Sequence, residues 1–263
     1  MKATRYGDPP AQADGAVRRS AWITGASSGI GRALAVRLAE EGWTVAVSAR
    51  DAQALAALAA EAAGRIHAFP LDVTDAAASA DTLAAIESRI GPVDLAVLNA
   101  GTYRHDSAAA FDAGMFRATI DVNLMGSVNC LAAVLPGMMA RRAGHIAVVS
   151  SVAGYVGLPG AAAYGASKAA LINLCQGLYP ELDASGVRLS LICPGFVDTP
   201  LTRKNDFPMP FMIPVDEAVD HIMRGLRSRR FEIAFPWKMV LSMKLLARLP
   251  TALTFAITRR LRK

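Results

Sequence analysis

From about residue 20 to residue 195, short apolar runs alternate with longer stretches in which apolar residues return every three or four positions. "AWIT" (21–24) leads into a helical pattern through "ALAVRLAEEG", and "TVAVSA" (44–49) into an alanine-rich helix over 52–63. "IHAFPL" (66–71) precedes a helix over 75–90, and "VDLAVLNA" (93–100) precedes a long helical stretch over 112–141. "HIAVVSS" (145–151), a helix over 163–183 and "VRLSLICP" (187–194) complete the series. Strands that are apolar at every position, rather than at alternate ones, are buried on both faces. That happens when helices cover both sides of a parallel sheet. Right-handed crossovers then predict an α/β fold, doubly wound, with a sheet of about seven strands.

Composition narrows this further. A chain of 263 residues suits one large domain, and at that size about 70–75% of the unfolded surface can be buried. Disulfide staples are therefore unnecessary. Cys130, Cys175 and Cys193 show no paired spacing and read as small buried side chains in a reducing compartment, the cytoplasm. The opening "MKATRYGDPPAQADGAVR" (1–18) lacks an apolar core and reads as a disordered leader, not a secretory signal. Residues 19–236 read as one α/β domain and 237–263 as a basic, apolar helical tail. Charge divides the same way. Residues 224–263 hold eleven Lys/Arg against one acid, Glu232, whereas the remainder has 17 basic and 21 acidic residues. The net +6 therefore belongs to the tail, and nucleic-acid binding by the main domain is disfavoured.

"TGASSGIG" follows the first strand and opens the first helix. Gly25 suits a tight turn, Gly29 close backbone approach to a pyrophosphate, and Gly31 tight helix packing. The helix N-terminus adds unpaired N–H groups and partial positive charge for phosphates. With this TGxxxGxG spacing the sequence resembles the short-chain dehydrogenase/reductase family over about residues 20–215. The resemblance implies a single Rossmann-type domain, and it extends to "LDV", "LNAG", "VN" and "PGFVDT" in order. It places Asp72 and Val73 against the adenine, Asn99, Ala100 and Gly101 at the end of the fourth strand, and Pro194, Gly195, Val197 and Thr199 beside the nicotinamide. Ser27, Ser28 and Ile30 complete the phosphate loop, and Leu98 replaces the commoner asparagine of that family.

The second strand bears on the cofactor. An acid about twenty residues past the glycines would hold the adenosine 2′-hydroxyl and repel a 2′-phosphate. "VAVSARD" has Ala49 at that place and Arg50 next, and Arg50 can fork around a 2′-phosphate. NADP(H) is the preferred expectation. NAD(H) stays open, with Arg50 solvated and Asp51 taking the ribose.

Tyr164 and Lys168, in "YGASK", are four residues apart and share a helix face; Ser151 stands thirteen residues before Tyr164. A tyrosine with a pKa near 10 is a poor acid–base group until a nearby cation stabilises its phenolate. Lys168 is expected to lower Tyr164 and to hold the ribose, Ser151 to orient the carbonyl, and Asn123 to hold a water in a proton relay. The thirteen-residue interval selects Ser151 over Ser150. Pro180 is expected to kink the helix that carries Tyr164. His67, His105, His145 and His221 show no metal-ligand spacing.

Phe196, Phe207, Phe211 and Met212 lie on or beside "LTRKNDFPMPFMIP" (201–214), with Met209 and Ile213. The family resemblance makes this a mobile lid, with 152–162 as the opposite wall. An apolar lid suits an apolar carbonyl or secondary alcohol, although the same residues could simply close the core. The tail, split by Pro250 into two short helices, could bind a membrane surface peripherally or pack on the lid or a neighbouring subunit. A homodimer or homotetramer is implied by the resemblance. The rival to an enzyme is a non-catalytic nucleotide sensor on the same fold, which would have no need of Asn123, Ser151, Tyr164 and Lys168 together.

Overall fold

The structure is a computed structural model that describes residues 19–62 and 64–261, so the expected leader (1–18) lies outside the described residues. Strands β1 (Ser20–Thr24), β2 (Thr44–Ser48), β3 (Ile66–Ala68), β4 (Leu95–Leu98), β5 (His145–Val149), β6 (Arg188–Pro194) and β7 (Glu232–Phe235) form one parallel sheet. Their order is β3-β2-β1-β4-β5-β6-β7. The chain steps outward from β1 to β3, then returns to pair β4 with β1 before stepping the other way. A crevice therefore opens beyond the C-terminal ends of β1 and β4, the place where such sheets bind ligands.

Successive strand residues feed opposite layers. Ile23, Val47 and Val97 meet α1 (Gly29–Glu40), α2 (Ala52–Glu61) and α7 (Val215–Arg227). Trp22, Leu98 and Val148 meet α3 (Ala76–Ile90), α5 (Gly126–Arg141) and α6 (Ala162–Ala184). Trp22 is fully buried, so its indole N–H needs a partner, and it donates to Ser48 Oγ on the next strand at 3.0 Å. Helix starts are set by side chains. Asp51 caps α2, Asp75 caps α3 and Asp112 caps α4 (Ala113–Ile120), each accepting main-chain N–H bonds of 2.8–3.1 Å.

One expectation about helices is corrected. The stretch expected as one helix over 112–141 is interrupted by a π-helical turn, Asp121–Met125, between α4 and α5. The wider turn inserts a residue into the helical register, and Asn123 within it is fully buried. Pro180 lies inside α6, which runs from Ala162 to Ala184 as one element. Pro180 and Gln176, whose carbonyl loses its partner, are both exposed, so solvent can take over the missing bond. The stretch Ala113–Arg141 is long and apolar enough to cross a bilayer, but Cys130, Leu131, Val134 and Met138 pack into the core beneath the sheet.

The sequence pattern located neither α7 nor β7. Beyond β7 the tail forms α8 (Trp237–Arg248) and α9 (Thr251–Thr258), broken at Leu249–Pro250. It is not detached from the domain. Met239 and Leu246 are buried, and Lys244 forms an ion pair with Glu232 of β7.

Candidate active site

The glycine loop is shaped by β4. Thr24 Oγ1 accepts the N–H groups of Asn99 and Ala100 at 3.0 and 3.1 Å. Asn99 Nδ2 in turn donates to the carbonyls of Thr24 and Gly25, also at 3.0 and 3.1 Å. Gly25 has φ +66°, and a Cβ there would lie 2.7 Å from Ala100 Cα. At Gly31 a Cβ would lie 2.6 Å from Asn99 Nδ2. Both positions thus need glycine for the approach of the two strand ends.

This loop opens a cleft of about 310 Å³ at the crevice. It is lined by the predicted Gly25, Ser27, Ser28, Gly29, Ile30, Ala49, Arg50, Asp72, Val73, Asn99, Ala100, Gly101 and Thr199. Asp51, the alternative ribose partner, also lines it, as do Leu71, Val122, Pro200 and Leu201, which the sequence pattern did not single out as expected contacts. The N-terminus of α1 faces this space without a cap: Ser28 occupies the cap position, but its hydroxyl makes no side-chain cap bond. Arg50 is exposed at the rim and, among the described residues, has no hydrogen bond or salt bridge. Asp72 is tied down, accepting from Thr74 N at 3.0 Å and Thr74 Oγ1 at 2.8 Å. The Thr74 N–H foremost, with a smaller contribution from Arg50, holds its carboxyl below the usual range. An uncapped helix end, free hydroxyls and an unpaired guanidinium form a donor set that fits a dinucleotide phosphate.

Four predicted cofactor residues stand outside this cleft, besides the tyrosine and lysine. Gly31 packs against Asn99. Gly195 lies under Met239 and Pro236, and a Cβ there would be 3.1 Å from each. Pro194 presents its carbonyl to Ser151 Oγ at 3.3 Å. Val197 is a core residue, 2% exposed and paired through its backbone with Ile213.

The cleft ends at Gly101, and a Cβ there would lie 3.4 Å from Asn123 Oδ1 and 3.6 Å from Lys168 Nζ. Asn123 Oδ1 accepts from Thr102 N at 2.7 Å, and its Nδ2 donates to Thr102 O and Ser167 Oγ, each at 3.0 Å. Its amide thus fastens the 101–102 turn to α6. Lys168 Nζ donates to the Val149 carbonyl at 2.9 Å, and burial pulls its pKa down to about 8. Ser150 is spent on the Lys168 carbonyl at 2.8 Å, which leaves Ser151 as the serine hydrogen-bonded to Tyr164.

Tyr164 departs from expectation in one respect. Burial pushes its phenol up from the ordinary value, with the Ser151 hydrogen bond opposing. Lys168 Nζ stands 5.7 Å from the ring centroid with a bond already committed to Val149. Desolvation therefore outweighs the lysine, and these residues keep Tyr164 protonated at neutral pH.

Three neighbours escaped the sequence pattern. Tyr103 stacks edge-on against Tyr164, with centroids 5.4 Å apart. Asp106 accepts from Ala162 N and Ala163 N at 2.9 and 2.8 Å, capping α6 from another loop. Tyr155, behind the site, donates to Glu232 Oε1 at 2.6 Å and lies under Lys244. Only the spacing of Tyr103 after the "NAG" turn could have flagged any of them. Of the expected substrate residues, Phe196 and Phe207 meet edge-on at 6.0 Å. Phe211 and Met212 are each 46% exposed, and Phe211 has φ +60°, a left-handed conformation that costs a side chain about 1–2 kcal/mol.

Comparison with known proteins places the chain in a family. A family model for short chain dehydrogenases matches residues 19–208. An uncharacterized oxidoreductase of Myxococcus xanthus is 41% identical over 247 residues, which is 93% of this chain and 98% of that protein. A 3-oxoacyl-(acyl-carrier-protein) reductase of Thermotoga maritima is 36% identical over 185 residues, covering 69% of this chain and 75% of its own. Among solved structures, a short chain dehydrogenase/reductase from Burkholderia phymatum in complex with NAD superposes with a TM-score of 0.80 at 26% identity. That match covers 87% of this chain and 92% of the other.

Proposed function

This chain belongs to the short-chain dehydrogenase/reductase family of oxidoreductases, and we propose that it is an NADP(H)-dependent reductase of an apolar carbonyl compound. The observation that carries the reading is the Ser151–Tyr164 pair at the end of the cleft, with Tyr164 held protonated by burial. When bound, the cofactor supplies the hydride. Tyr164 donates a proton to the carbonyl oxygen, and Ser151 donates a hydrogen bond that orients it. The positive charge of Lys168 stabilises the phenolate that Tyr164 becomes. Asn123 fixes the turn through Gly101 against α6, and so holds the cleft floor at the right height beside Lys168.

Arg50 supports the choice of NADP(H): it is exposed at the cleft rim and has no ion-pair partner among the described residues. Phe196, Phe207, Phe211 and Met212 support an apolar substrate, and the Thermotoga maritima relative is named for a reaction on an acyl chain. A second reading, NAD(H)-dependent oxidation of a secondary alcohol, is favoured by Asp51 lining the same cleft and by the NAD held in the Burkholderia phymatum structure.

Titration of the purified protein with NADPH and NADH, followed by nicotinamide fluorescence, separates the two. NADPH is expected to bind more tightly, and Arg50→Ala to weaken NADPH by about ten- to a hundredfold while sparing NADH. Equal affinities, or an NADPH affinity untouched by Arg50→Ala, would overturn the cofactor assignment.

A further inference from the structure

The last helix is inside out. In α9 the polar side chains turn inward, Thr254 at 9% and Thr258 at 7% exposure, while Leu253, Phe255 and Ile257 stand 53%, 55% and 44% exposed. The cause is local. Thr254 Oγ1 donates to the Leu246 carbonyl at 3.2 Å, satisfying the end of α8 and fixing the angle between the two helices. In α8, Trp237, Leu241 and Leu245 recur every four residues and stand 69%, 50% and 54% exposed. The opposite side of α8 is anchored: Met239 and Leu246 are buried, and Lys244 pairs with Glu232. The outward apolar surface is therefore held in place by packing on its other side. Large apolar side chains exposed on two consecutive helices, with Leu249 exposed between them, mark an interaction site.

Charge identifies the occupant. Residues 237–263 carry seven Lys/Arg and no acid. Lys238, Arg248, Arg259 and Arg260 are exposed beside the apolar stripe. A symmetric contact with a second copy would set these cations against their own images, with no acid in the segment to pair them. An anionic surface with an apolar interior accommodates both features. Helices of 12 and 8 residues are too short to cross a bilayer, which takes about 20, so they would lie along it. We propose that α8 and α9 dock this protein peripherally on an anionic lipid bilayer, with Trp237, Leu241, Leu245, Leu253 and Phe255 entering the interface.

Flotation of the full chain with vesicles tests this. One set is pure phosphatidylcholine, and the other contains equal parts phosphatidylcholine and phosphatidylserine. Binding to the mixed vesicles, weakened by salt and accompanied by a blue shift of Trp237 emission, is expected. Leu253→Ser/Phe255→Ser should lower that binding by about tenfold or more without changing the melting temperature. These substitutions are preferable to truncation, which would also remove Met239, Lys244 and Leu246 from their partners. Failure of the full chain to float with either vesicle would overturn the proposal. So would a concentration-dependent dimer dissolved by Leu253→Ser/Phe255→Ser, which would make the face a subunit contact.

Discussion

Helices α1 and α6 both point their N-termini toward the cleft region, but they are finished in opposite ways. At α1 the cap position holds Ser28 with its hydroxyl uncommitted, and the main-chain N–H groups are left for something else. At α6 the local cap is Ala161, which offers nothing, and Asp106 is brought across from another loop to accept two N–H bonds. An unpaired helix end carries about half a positive charge. Leaving it open creates an anion site, and closing it with a carboxylate fixes the helix. The first helix is thus arranged to bind and the second to hold Tyr164 and Lys168 in register. If this division is right, cofactor affinity reports on α1 and turnover on α6, and substitutions should separate the two.

The largest separation is expected from Tyr164→Phe. Loss of the proposed proton donor should lower turnover by about 10²–10⁴-fold, while cofactor affinity, assigned in the proposed function to α1 and Arg50, stays nearly unchanged. Steady-state kinetics on an accepted ketone, beside an NADPH titration, give both readouts. Retained turnover would dissolve the distinction, because α6 would then carry no chemistry.

Lys168→Met should produce the next largest effect, and its sign follows from burial. The folded protein lets go of the Lys168 proton near pH 8, and the unfolded chain near 10.5. Between those values the unfolded state holds more protons, so stability rises with pH through that window. Below it the buried charge costs about 3 kcal/mol, a cost that Lys168→Met removes while keeping the apolar stem. Denaturant unfolding of both proteins, repeated from neutral to strongly alkaline pH, should show wild type gaining on the variant across the window. Parallel curves would mean that Lys168 is not desolvated as its contacts indicate.

Much of this was legible in the sequence. The six strands up to Pro194 announce themselves because each is a short, mostly apolar run ended by a turn residue, and the glycine loop is marked by its place between strand and helix. The π turn at Asp121–Met125 was not legible, because one inserted residue leaves the apolar period of 112–141 intact. Strand β7 is four residues beside an arginine cluster, too short for a period to form. In α9 the pattern of threonines against Leu, Phe and Ile declares two faces but not which one is outward; the Thr254 bond to α8 decides that. Asp106 and Lys244 act on partners 56 and 12 residues away through a carboxylate or an ammonium, and no local pattern encodes such a pairing.

Asp106→Ala is the smallest and sharpest test of the comparison, because it makes the end of α6 resemble that of α1. Two N–H bonds and one favourable charge at the helix end are lost, a cost of about 1 kcal/mol, or about 2–4 °C in melting temperature. The more telling readout is kinetic. Ala162 and Ala163 precede Tyr164 directly, so fraying of that turn loosens the phenol against Ser151 without touching Arg50 or the glycine loop. Turnover should fall while NADPH affinity holds. Asp106→Asn, which keeps one acceptor oxygen, should recover part of both the stability and the turnover. If Asp106→Ala instead weakened NADPH binding as much as turnover, the two helix ends would act as one unit.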